Sequence, residues 1–136
     1  MTQGTDPQIG SAPSGALLCV VAFAGLAGAA GVALAAVAAH KVDSPALATA
    51  ATMLMIHAAA ALGLASLATR MLCAKWWLIV TGFVLGAATL FSTAIAVHVF
   101  TGNHLFPMAA PIGGSTLIGT WLAVAGLAIF EWRGTR

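Results

Sequence analysis

Residues 46–69 read ALATAATMLMIHAAAALGLASLAT, an unbroken run of 24 apolar, small and hydroxyl residues with one ionisable side chain, His57, near its middle. Wound as a helix the run is about 36 Å long at ~1.5 Å per residue, enough to cross a bilayer. A polar group at that depth is costly unless a neighbouring helix satisfies it, so His57 constrains whatever packs around it.

The rest of the chain agrees with this reading. Of its 136 residues, 61% are hydrophobic and 6% charged, where a soluble domain carries about 25% charged residues. A small soluble fold leaves too much surface in water to hide that much apolar area, and lipid is the solvent that removes the difficulty. The net charge of +2, with no basic run, excludes the electrostatic footprint of a nucleic-acid binder. Cys19 and Cys73 have neither metal nor redox spacing and read as ordinary thiols.

Four apolar runs, at about 16–39, 46–69, 76–100 and 111–131, predict an all-α integral membrane four-helix bundle with short loops. Met1–Gly15 is polar and rich in Gly, Pro and Ser, and is expected to be a disordered tail. No Lys or Arg precedes the first run, so it is expected to be a span rather than a signal peptide. Residues 133–136 form a short basic C-terminal tail. Ser44 and Pro45 suit the cap and first position of the second helix. Trp76 and Trp77 beside Lys75, and Trp132 beside Arg133, suit the membrane-water interface.

Small residues suggest where helices meet. Gly25, Gly28 and Gly31 recur every three residues, and Gly82 and Gly86 form a GxxxG pair. Gly28, Gly82 and Gly86 are therefore expected at helix contacts, where the missing side chain lets backbones approach. Thr89, Ser92 and Thr93 are expected to bond back to carbonyls of their own helix. A shift of 58 residues lays Gly28-Ala29-Ala30 on Gly86-Ala87-Ala88 and His40 on His98, which would fit a parallel internal repeat.

With four spans, Arg70, Lys75, Arg133 and Arg136 fall on one side and Lys41 alone on the other. The positive-inside rule then places both termini in the cytoplasm.

Several short stretches together resemble the family called domain of unknown function 423, small four-helix proteins of bacterial inner membranes with distant mitochondrial relatives. They are Gly28-Ala29-Ala30-Gly31 with Ala38-Ala39-His40-Lys41, His57-Ala58-Ala59-Ala60-Ala61-Leu62, Leu90-Phe91-Ser92, Pro111-Ile112-Gly113-Gly114 and Gly119-Thr120-Trp121. The resemblance runs from about Gly25 to Trp132. It implies the four-helix fold and a multi-pass place in the bacterial inner membrane, and it implies no activity. The charged Lys41 after His40, and Met53-Leu54 where an aromatic-Gln pair often stands, depart from the family pattern.

No catalytic constellation is visible. Asp6, Asp43 and Glu131 are the only acids and lie far apart in the chain, so no carboxylate pair or nucleophile-base pair is recognisable. An enzyme is not expected, nor is a cofactor. His57 could serve as a haem or metal ligand, a proton relay, or a side chain hydrogen-bonded between helices; the last is the expectation. A neutral ring would offer one donor and one acceptor. At matching depth lie Thr89, Thr120 and Trp121 as candidate partners, with Gly28 on the first span. His40, His98 and His104 are the outer-face residues that could meet around a metal, though their spacing is no motif.

Two functional classes follow. One is a structural or accessory membrane protein that packs against a larger complex or self-associates. The other is a small-solute or ion transporter or pore acting as a homo-oligomer. The expected partners are the lipid bilayer and other subunits or the chain itself, with no nucleic acid.

Overall fold

The computed structural model describes residues 13–134. The expected N-terminal tail lies outside the described residues as far as residue 12, as does Arg136 of the basic tail. The architecture is all-helical. Helix α1 spans Gly15–Val37, a π-helical turn follows at Ala38–Val42, and α2 spans Pro45–Ala68, α3 Ala74–Thr101 and α4 Ala109–Gly134. All four helices are long and apolar enough to cross a membrane. In hydrocarbon each backbone N–H and C=O must find its partner within the chain, and a helix of this length does so.

Local chemistry sets the ends. The Ser14 and Ser44 hydroxyls accept the N–H groups of Leu17 and Leu47, each at 3.3 Å. Pro45 occupies the first turn of α2, where its missing N–H costs nothing. The first connection is shorter than the loop expected at His40–Pro45, because α1 winds on through Val42. It breaks at Asp43, which takes a left-handed backbone with φ of 43°. Helix α3 ends at Gly102, whose φ of 72° suits a residue without Cβ and whose N–H reaches the His98 carbonyl. Arg133 and Gly134 belong to α4 rather than to a separate tail.

Consecutive helices pack against each other and run antiparallel, with α1 also touching α3. Helix α4 approaches α3 alone at backbone level among the described residues. The arrangement is thus open, and α1 and α4 bury less than half as much of their apolar lengths as α2 and α3. The core is largely alanine: Ala24, Ala27, Ala58, Ala61, Ala87 and Ala88, closed by Leu54, Leu85 and Leu117. Between membrane helices no hydrophobic drive operates, so close packing of small residues supplies the attraction.

The glycines used are not mainly the expected ones. Gly28 sits at the α1–α2 crossing, where an added Cβ would meet the Ala58 Cβ at an ordinary 3.8 Å. Gly31 is tighter, with Met55 Cγ at 2.6 Å and the Ala51 carbonyl oxygen at 3.2 Å from that position. Gly25 has open space, because a three-residue step turns about 60° around a helix and carries Gly25 off the shared face. Gly82 and Gly86 also face open space, so among the described residues the GxxxG pair makes no close helix crossing. Helix α3 turns its other faces to α2 and α4. The close α3–α4 contact falls at Gly113, where a Cβ would lie 2.7 Å from Phe91 N and 2.9 Å from Phe91 Cα.

Candidate functional site

His57 is the thirteenth residue of α2 and Trp121 the thirteenth of α4, so both stand midway along their helices. The Trp121 indole N–H donates to His57 Nε2 at 3.3 Å. The rings lie 6.1 Å apart by centroid, tilted by 58°. His57 Nδ1 lies 2.7 Å from the Met53 carbonyl oxygen, one turn back on α2. An indole nitrogen only donates and a carbonyl only accepts. The two contacts therefore assign the neutral tautomer with its hydrogen on Nδ1. His57 is 7% exposed. The partner of the ring across the helices is thus Trp121, as donor.

The other candidates at that depth do not join. Thr120 is buried but donates to the Thr116 carbonyl of its own helix at 2.7 Å. The Thr89 hydroxyl is buried and finds no hydrogen-bond partner among the described residues. Gly28 packs on Ala58, as described above.

An apolar cavity of about 500 Å³ lies beside the pair, lined by Met53, Phe91, Leu117, Ile118 and Leu122 among others. It opens where α2 and α4 stand apart, and Trp121, 40% exposed, borders it. Both His57 nitrogens are already engaged, so the ring as placed has no free lone pair for a metal or a relayed proton. The pair works as a polar tie between helices whose backbones do not meet.

The three histidines considered for a metal do not converge. His98 and His104 stack, with centroids 4.6 Å apart and planes within 4° of parallel. Imidazole lone pairs lie in the ring plane, and two parallel rings cannot both aim them at one ion about 2 Å away. His40 does not complete a set with them: no group of three metal-ligating side chains occurs among the described residues.

Two polar ties escaped the sequence reading. The Ser92 hydroxyl donates across to the Ala50 carbonyl on α2 at 2.8 Å, where an own-helix bond was expected. A hydroxyl on a membrane helix reaches either its own or a neighbour's carbonyl, and only packing decides which. Glu131 is the other. One of its oxygens accepts the Cys73 N–H at 2.8 Å and the Trp77 indole N–H at 3.3 Å, and the other accepts the Leu72 N–H at 3.2 Å. Trp77 is consequently buried rather than an interfacial anchor, and of this pair Trp76 alone is exposed. The sequence signal was an acid inside the last turns of an apolar run, a position that demands donors.

Residues 34–114 match the family model described as Protein of unknown function (DUF423), which covers more than half of the chain. No curated protein and no solved structure matches it. The match includes His57, Ser92 and Gly113 and stops short of Trp121 and Glu131. A chain with four helices long and apolar enough to span a membrane and with this match belongs to the domain of unknown function 423 family.

Proposed function

We propose that the protein is a non-enzymatic accessory or structural membrane subunit that packs against a larger membrane complex or against its own copies. The supporting observation is the face of α3 with Gly82 and Gly86, both exposed and with open space around their missing side chains among the described residues. Bare glycine gains little against lipid, whereas it lets a second helix approach closely. In keeping with the charge distribution, both termini would lie in the cytoplasm, and the family resemblance implies the bacterial inner membrane.

A pore reading finds less support. The buried hydroxyls of Thr81, Ser92 and Thr120 are spent on backbone carbonyls, where a conducting path needs polar groups turned to a lumen.

The test is the size of the assembly extracted in mild detergent. The native chain should migrate well above its 13.6 kDa plus the detergent belt, and Gly86→Leu should collapse it to the monomer with helix content unchanged. An unaltered assembly in Gly86→Leu, or a monomeric native chain, defeats the reading.

A further inference from the structure

The end of the molecule holding the α1 start, the α2–α3 loop and the α4 terminus carries Arg70, Lys75 and Arg133, all exposed. None of the three has an ion-pair partner among the described residues. Glu131 is the only described acid at that end, and it is buried with both oxygens accepting N–H groups. These bonds draw the end of α4 onto the loop, so that the site for a Cβ on Gly134 lies 3.8 Å from Leu72 Cδ1. Arg133, distant in sequence, thereby joins Arg70 and Lys75. The opposite end differs, since its one cation, Lys41, is two residues from the exposed Asp43.

Leu72, Trp76 and Trp132 are exposed among these cations, Leu72 at 73%. Apolar side chains interleaved with cations at the end of membrane-spanning helices match an amphiphile: phosphate for the cations, upper acyl carbons for the rings and Leu72. We propose that this end binds the headgroup of an anionic phospholipid, with Arg70, Lys75 and Arg133 holding the phosphate. A zwitterionic lipid brings its own cation and gains little there. Each Lys or Arg near an anionic lipid surface contributes about fivefold in affinity.

Native mass spectrometry of the delipidated full-length chain tests this with dioleoylphosphatidylglycerol against dioleoylphosphatidylcholine. The anionic lipid should be retained at a concentration at least about tenfold lower. The triple variant R70Q/K75Q/R133Q should lose that preference while keeping its helix content, and Lys41→Gln should keep it. Equal retention of the two lipids, a preference surviving in the triple variant, or its equal loss in Lys41→Gln overturns the proposal. If the triple variant does not fold, each single substitution should lower the preference about fivefold, and three unchanged singles overturn it. Millimolar inorganic phosphate should not displace the bound lipid; displacement would identify a soluble-anion site instead.

Discussion

The Glu131 carboxylate accepts the Cys73 backbone N–H at 2.8 Å, joining the last turns of α4 to the residue that precedes α3. At backbone level α4 approaches α3 alone among the described residues, so this contact fixes its C-terminal end while the Trp121–His57 bond ties its middle to α2. The negative group also lies at the α3 N-terminus, where the helix dipole favours it.

Replacing Glu131 by Ala leaves the Leu72 and Cys73 N–H groups and the Trp77 indole without their acceptor. Stability should fall by about 2–3 kcal/mol, the range for orphaning buried donors of a charged acceptor. Denaturant titration in detergent measures it. Glu131→Gln, which keeps one acceptor oxygen, should lose less than Glu131→Ala, and an equal loss would mean that packing rather than hydrogen bonding sets the cost.

His57→Ala should cost about 1–2 kcal/mol, the scale of interhelical hydrogen bonds in membranes. Trp121→Phe removes the donor and keeps an aromatic ring. In a double-mutant cycle the two substitutions should couple by about 0.5–2 kcal/mol. A coupling near zero would show that the bond contributes nothing to the fold.

Gly113→Ala places a methyl against Phe91 N and Cα, backbone atoms that cannot swing aside. The expected cost is about 1–3 kcal/mol from overpacking. Gly119→Ala, on the same helix but with open space at its Cβ, should be neutral or slightly stabilising, since Ala favours the helix. Thermal unfolding of the two variants side by side reads the difference, and a Gly113→Ala variant as stable as Gly119→Ala contradicts the crossing.

Reporter fusions at Ser44 and at Asn103 should both register the outer side of the membrane. The motivation is the placing of Arg70, Lys75 and Arg133 together at the other end. A cytoplasmic signal at either position sinks the proposed orientation.

The sequence by itself determined the four helices and much of their ends, because both rest on local chemistry. A run such as residues 46–69 must be helical in lipid, Ser44-Pro45 caps the helix that follows, and His57 at mid-depth requires a partner, which Trp121 supplies. Tertiary structure alone decided which face of each helix turns inward. On these helices apolar residues occur all round, so no amphipathic stripe marks the buried side, and lipid is as apolar as a neighbouring helix. That is why Gly113 and Gly31 are at crossings while Gly82 and Gly86 stay uncovered, why Ser92 reaches across to Ala50 while Thr120 stays on its own helix, and why Glu131 meets Cys73 and Trp77. Each of these depends on the rotation of one helix about its axis relative to another, a quantity fixed by long-range packing and absent from any single stretch of residues.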